Sequence, residues 1–369
     1  MGRILALVVK ELLALLRDPK GRMVLIGPPV LQLFIFSYAA TLEVSNVRIG
    51  LLDRDNGAWS AELLQRLEAS DTFAEIVPVD GVQAIDRLID QRRVIAVLHV
   101  GPTFSRDLMA GSDAAVQLLL DGRRSNAAQI VDGYVRRLLA DLNRDARARA
   151  GLPAVPDDPL VVRHWFNPTL EYQWFTVPSL LAMLTMLMGL IVTSLSVARE
   201  RELGTFDQLL VSPLTPAQIL AGKSLPPLLV GLFHGTLFLL AAIFIFRVPF
   251  TGSLALLYGS LVVYLAAVIG IGLFISSLCA TQQQAILGSF LFAAPAVLLS
   301  GFATPVENMP EWLQTATLIN PLRHFLVIVK GLFLKDMPLE TVAASVLPLA
   351  LIALVTLGTA AWLFRRRLG

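Results

Sequence analysis

Six apolar runs, each close to the length of a bilayer crossing, constrain this chain more than any other feature. A spanning helix needs about 20 mostly apolar residues, because the segment itself must satisfy every backbone N–H and C=O once water is gone. Residues 23–42 are such a run, with Pro28 and Pro29 as an expected kink. Residues 174–198 are uncharged, and 225–246 hold His234 alone among ionisable groups. Residues 254–278 are uncharged, 286–303 are just long enough, and 342–364 form the last run. Composition agrees: 16% of residues are charged, against about 25% in soluble domains. Mean hydropathy is +0.68.

Charge is unevenly placed. Residues 43–172 hold 15 Arg, no Lys and 19 Asp or Glu, a net of −4, so the remainder carries +6 of the total +2. A hydrophilic domain is therefore inserted in a hydrophobic chain. Its apolar and amphipathic runs alternate. Val47–Asp53, Ile76–Val79, Val94–Val100 and Ala115–Asp121 read as strands. Ala58–Ser70, Val82–Gln91, Phe104–Ala110 and Ser125–Ala150 read as helices. Turn signals separate them at Asp55-Asn56-Gly57, Asp80-Gly81, Gly101-Pro102 and Asp121-Gly122. With one cysteine, Cys279, no intramolecular disulfide is available, and an ordinary core must hold this domain. Pro153, Pro156 and Pro159 predict a stiff return to the second span.

Positive residues in short loops orient a membrane protein. Arg3, Lys10, Arg17, Lys20, Arg22, Arg199, Arg201, Lys223, Arg365, Arg366 and Arg367 make eleven on one side. Arg247, Arg323, Lys330 and Lys335 make four on the other. The first side is expected to be the cytoplasm, with both termini there and 43–172 outside. Residues 1–22 read as an amphipathic surface helix, since Arg3, Lys10 and Arg17 share a face at sevenfold spacing. A cleavable signal peptide ending at Ser37-Tyr38-Ala39 is the weaker reading, because that helix precedes the apolar run. The expected fold is thus an α-helical integral membrane protein with six transmembrane helices, plus an inserted α/β extracytoplasmic domain between helices 1 and 2.

Several motifs carry no chemistry. Gly222-Lys223-Ser224 ends like a phosphate-binding loop, but Ala217 stands where that pattern needs Gly, and the stretch abuts a span. Lys223 reads instead as a snorkelling lysine. Leu299-Ser300-Gly301 lies inside the fifth run. His234 reads as a structural hydrogen-bonding group, since no span holds an acidic partner. The same absence argues against proton-coupled transport and membrane hydrolysis. The four histidines do not cluster and suggest no metal site.

The informative stretch is the short cytoplasmic segment 199–224. Arg199-Glu200-Arg201-Glu202 alternate in sign, Gly204 is an expected helix break, and Phe206-Asp207-Gln208-Leu209-Leu210 follow before Ser212-Pro213. A solvated connector has no need of Phe206, Leu209 and Leu210, so a partner surface is expected.

This run, Arg199 to Pro216, resembles the coupling-helix loop of type-2 ABC exporter permeases, between spans two and three. The N-terminal helix, with Lys10 and Leu16-Arg17-Asp18-Pro19, is similar to that family's connecting helix. Residues 304–340 resemble its external re-entrant helices, carried by Pro305, Glu307, Met309, Pro310, Trp312, Asn320 and Pro321. The large insertion resembles the bacterial drug-efflux-like branch. The resemblance implies a multi-pass inner-membrane permease moving a hydrophobic or amphiphilic cargo. It implies a second permease subunit, identical or sister, and a pair of cytoplasmic ATP-binding subunits. ATP and Mg would sit on those partners and no cofactor on this chain; a periplasmic adaptor is left open, and nucleic acid is not a partner. It assigns Arg199, Glu200, Glu202, Gly204, Thr205, Phe206, Asp207, Gln208, Leu209 and Leu210 to ATPase coupling. The reading from another class is a membrane sensor or scaffold with a ligand-binding external domain. The chain offers that reading no cytoplasmic output domain.

Overall fold

The computed structural model describes residues 2–17, 19–39, 47–70, 72–112, 114–153, 166–167, 171–205 and 214–366. They form two compact units: Met1–Ala40 with His164–Gly369, and Thr41–Arg163.

The first unit is a helical bundle. It begins with α1 (Gly2–Arg17) and α2 (Pro19–Ala39). After the inserted unit come α7 (Tyr172–Glu202), α8 (Pro216–Leu240), α9 (Leu254–Leu278) and α10 (Gln282–Leu298). The bundle ends with short α11 (Glu311–Ala316), α12 (Pro321–Leu334) and α13 (Leu339–Arg366). Among the described residues, four helices are long and apolar enough to cross a membrane: Tyr172–Glu202, Ala217–Ile245, Leu254–Leu278 and Leu339–Leu363. Glu311–Ile319 and Pro321–Leu334 form a pair bent by 84°. The apolar part of α2, Leu25–Tyr38, is shorter, and α10 has 17 residues.

Helix α7 is the hub, packing against α2, α8, α9, α10 and α12. Of its apolar window 78% is buried, against 17% for α13. A helix apolar on every side shows no stripe, so only packing reveals which one is central. Polar side chains supply the directional contacts. The Tyr264 hydroxyl on α9 donates to Ala182 O on α7 at 3.0 Å. Its ring stacks on Phe325 of α12, centroids 4.1 Å apart. Ser289 Oγ of α10 donates to Ser194 Oγ at 2.8 Å, and Ser276 Oγ of α9 donates to Ser194 O at 2.5 Å. Between helices already in lipid-like surroundings, such bonds fix register.

His234 on α8 is fully buried. Its Nε2 lies 2.8 Å from Leu25 O on α2. Residue 29 is proline, so the carbonyl four residues before it has no helical N–H to accept from. With its proton on Nε2 the imidazole supplies that missing donor, and Nδ1 lies 2.9 Å from Val230 O, so the expected structural role has specific partners.

The second unit holds β1 (Val47–Asp53), α3 (Ala58–Glu68), β2 (Phe73–Pro78), α4 (Val82–Asp90), β3 (Ala96–Val100), α5 (Phe104–Met109), β4 (Val116–Leu120) and α6 (Ser125–Arg149). The sheet order is β2-β1-β3-β4. β1 runs parallel to β2 and β3, and β4 is antiparallel to β3. Side-chain alternation splits the core in two. Ile49, Leu51, Ala96 and Leu98 pack with Val131, Val135, Leu138 and Leu142 of α6. On the other face Leu52 and Val97 pack with Ile85 and Leu88 of α4. Arg66 joins α3 to α6 by donating to Asp145 at 2.6 Å and to Glu62 at 2.8 Å. These carboxylates, Asp145 first, raise its pKa.

Candidate functional site

The site grows from the last turn of α7. The helix ends where the sequence places the break, and the ending is a Schellman motif. Gly204 has φ of +69°, its N–H reaches Arg201 O at 3.1 Å, and the Thr205 N–H reaches Glu200 O at 2.9 Å. A left-handed residue after the helix favours glycine because it has no Cβ to clash. The chain leaves in a fixed direction at Thr205. Phe206, Asp207, Gln208, Leu209 and Leu210 lie outside the described residues. It re-enters at α8, where Thr215 and Gln218 cap each other and Pro216 takes the first helical position.

Each of the four alternating charges has a partner elsewhere in the bundle, with Glu200 buried and Glu202 exposed. Arg199 Nε faces Gln282 Oε1 at 3.4 Å. Arg201 donates to Ser277 O at 2.7 Å and Cys279 O at 3.0 Å. Glu202 Oε2 accepts from Gln282 N at 2.8 Å, so it caps the N-terminus of α10. Glu200 is buried; its Oε1 accepts from Lys10 Nζ at 2.8 Å, and its Oε2 lies 2.8 Å from Lys223 Nζ. Arg199, Glu200 and Glu202, expected from the sequence to couple to an ATPase, tie the end of α7 to α1, α8 and the α9–α10 turn.

Lys223 corrects the sequence reading. It does not snorkel: its side chain is 1% exposed. It donates to Glu11 Oε1 at 3.1 Å and to Ser196 O at 3.2 Å. Glu11, Lys223, Ser196 and Gln282 are the members of this region that sequence reasoning missed. Their partners lie far along the chain, and nothing in the neighbouring residues marks them. Burial lowers the Lys10 pKa, but the Glu200 and Glu11 carboxylates outweigh it and leave the group above its ordinary value. Arg17 is exposed at the end of α1, and Asp18 lies outside the described residues.

Helix α1 approaches α8 closely at Gly222. A Cβ there would press on the Leu7 side chain, so a larger residue requires Leu7 to yield.

At the opposite helix ends, the 304–340 segment folds as turns around the bent pair. Pro305 and Pro310 precede a 3₁₀ turn (Val306–Asn308) and α11. Glu307 and Trp312 are exposed. Gln314 Nε2 ties back to Met309 O at 2.8 Å. Asn320 works in two directions: its Oδ1 accepts from Leu322 N at 3.1 Å, and its Nδ2 donates to Ala296 O of α10 at 2.7 Å. Pro321 is at the first position of α12. Arg323 donates to Gln314 O at 2.9 Å and to the Thr317 hydroxyl, holding the bend. Phe175 stacks on Phe302 at 6.1 Å, and Lys330 Nζ lies 3.7 Å from the Phe175 ring centre.

An amphipathic helix, α1, and the charged end of α7 are thus clasped together at one end of an apolar bundle. Residues 23–362 match the profile of the family described as ABC-2 family transporter protein. The chain belongs to that family. It is similar to the probable multidrug ABC transporter permease YbhR of Escherichia coli (strain K12), 47% identical over 365 residues covering 99% of each chain. It is similar also to the probable multidrug ABC transporter permease YbhS of the same organism, 32% identical over 381 residues covering 99% of this chain and 97% of the relative. The inner membrane transport permease YhhJ is 28% identical over 382 residues. The protein is therefore the non-catalytic, multi-pass permease subunit of an ABC exporter of the inner membrane, and it works with a separate ATP-binding chain.

Proposed function

We propose that this permease exports hydrophobic or amphiphilic, drug-like or lipid-like molecules, and that the 199–224 loop receives the ATPase stroke. The observation that carries the coupling role is the fixed exit of α7, where four charges and a Schellman turn anchor a short loop of apolar residues. ATP-driven closure displaces the loop, and packed helices carry the displacement inward. Phe206, Leu209 and Leu210 provide the apolar contact in a cleft of the ATPase. The printed descriptions of YbhR and YbhS as multidrug permeases support the cargo class.

In this reading α2 and α10 cross the membrane with the four longer helices, making six spans. The shared position of α1, the end of α7, the start of α8 and the α9–α10 turn supports a common cytoplasmic end. Both termini lie there, the 43–172 unit lies outside, and 304–340 forms re-entrant elements on the outer side. Two permease subunits, identical or sister, meet two ATP-binding subunits that hold ATP and Mg; this chain carries no cofactor.

Leu209→Asp tests the loop. A charge buried without a partner costs several kcal/mol. The variant should insert normally and lose copurification with its ATPase, with ATP-dependent dye uptake into inverted vesicles falling to background. Normal copurification and uptake would show that the loop is a solvated connector.

A further inference from the structure

The four charges around Lys223 form a closed ring of alternating sign. Lys10 to Glu200 is 2.8 Å, Glu200 to Lys223 is 2.8 Å, Lys223 to Glu11 is 3.1 Å, and Glu11 back to Lys10 is 3.7 Å. Three helices contribute: α1 gives Lys10 and Glu11, α7 gives Glu200, and α8 gives Lys223. The ring is electrically neutral, and its side chains run from 1% exposed at Lys223 through 7% at Glu200 and 13% at Glu11 to 55% at Lys10.

A buried ionic cluster is a poor way to gain stability. Desolvating the charges offsets most of their attraction, and apolar residues of similar volume often do as well or better. What such a cluster does supply is a defined arrangement, because any sliding of α1 leaves Lys223 buried and short of a carboxylate. The apolar contacts of α1, Leu7 against Gly222 among them, position it by shape, and the ring adds a directional, charge-matched constraint to them. Glu200 lies two residues before the end of α7, so the ring fastens α1 to the entrance of the coupling loop itself.

We propose that Glu11 and Lys223 are positioning residues which latch α1 to α7 and α8, so that α1 and the 199–224 loop move as one body through the transport cycle. The proposal rests on the coupling role given to that loop. The latch stays closed while the ATPase works, and α1 passes the stroke to α8 in parallel with α7.

The test uses the full-length chain copurified with its ATP-binding subunit and reconstituted in liposomes, with Cys279→Ser as background. Glu11→Met with Lys223→Met removes one charge of each sign and leaves the Lys10–Glu200 pair. This variant should still insert and copurify with the ATPase, while ATP turnover of the complex falls about tenfold, within the usual range of coupling between linked sites. A covalent tether then replaces the ionic one. A Cβ on Gly222 would lie 3.1 Å from Leu7 Cβ, so Leu7→Cys with Gly222→Cys reaches the disulfide range of about 3.5–4.5 Å with a small adjustment. Oxidation should restore turnover in the Met/Met variant and leave it intact in the charged protein; dithiothreitol should reverse the restoration.

Parental turnover in the untethered Met/Met variant overturns the proposal. So does loss of turnover when the charged protein is oxidised, since α1 would then have to detach. A Met/Met variant that fails to accumulate, or whose turnover the tether does not restore, also overturns it and makes the ring a folding element. Failure of the charged parent to copurify an ATPase would instead count against the coupling role of the loop.

Discussion

His234 and Pro29 show how one residue's deficit fixes another's identity. Proline withholds an N–H from Leu25 O, and the imidazole of a different helix makes up the loss. His234→Phe keeps the volume roughly and leaves a buried carbonyl unpaired, at about 1–3 kcal/mol. The variant should melt earlier in detergent, and Pro29→Ala added to it should recover most of the loss by restoring the helical N–H. A melting temperature indifferent to both changes would remove this account. The role of His234 as a hydrogen-bonding group was legible, because no span offers it an acid. Its partner was not, since an orphaned carbonyl leaves no mark in a sequence except the proline four positions later. Lys223 was misread for a related reason. A lysine at a helix end is the same string whether it reaches water or two carboxylates more than twenty residues away.

At the level of elements, regular alternation made the inserted unit readable. Sequence places β1 at Val47–Asp53, where the structure has it, and places the other strands within three residues. The helices agree similarly, because their apolar faces have a clear period, as Val131, Val135, Leu138 and Leu142 show. The apolar runs mark only part of each bundle helix. α8 starts at Pro216, ahead of the run at 225, and α10 at Gln282, ahead of the run at 286. Hydropathy stops at the first polar residues, whereas a helix stops at its cap; Thr281 and Glu202 cap α10 upstream of its apolar run. The 84° bend before α12 has a local cause, Asn320-Pro321, yet its angle is set by Arg323 and Ala296 from outside the motif. The two-sided core predicts that residues 45–165, expressed alone and without any disulfide, form a soluble domain. Circular dichroism should show mixed α/β signals and a cooperative melt; a random-coil spectrum would contradict it.

For the whole molecule, the eleven-to-four charge asymmetry predicts which side each segment faces. Reporter fusions should place Ser112 outside and Gly369 in the cytoplasm. An external C-terminus, or a cytoplasmic Ser112, would reverse or break the six-span topology. Purified permease alone should show no specific ATP turnover, since Ala217 breaks the phosphate-loop pattern; turnover that survives removal of every partner would contradict this. The sequence yields an expected number and direction of crossings because a bilayer imposes a length and a charge rule. Which helix occupies the centre could not be read, since α7 and α13 both carry a long apolar window and differ in what surrounds it.

The cores of the two units have no residue in common. A substitution that repacks the sheet of the inserted unit therefore changes no side chain in the core of the helices that carry the ionic ring, and the reverse also holds. Such a chain can diversify in two independent tempos. Lineages can replace or reshape the insert to suit new surroundings while inheriting the driven bundle nearly unchanged, so sequence divergence between relatives should fall unevenly along the chain rather than spread over it.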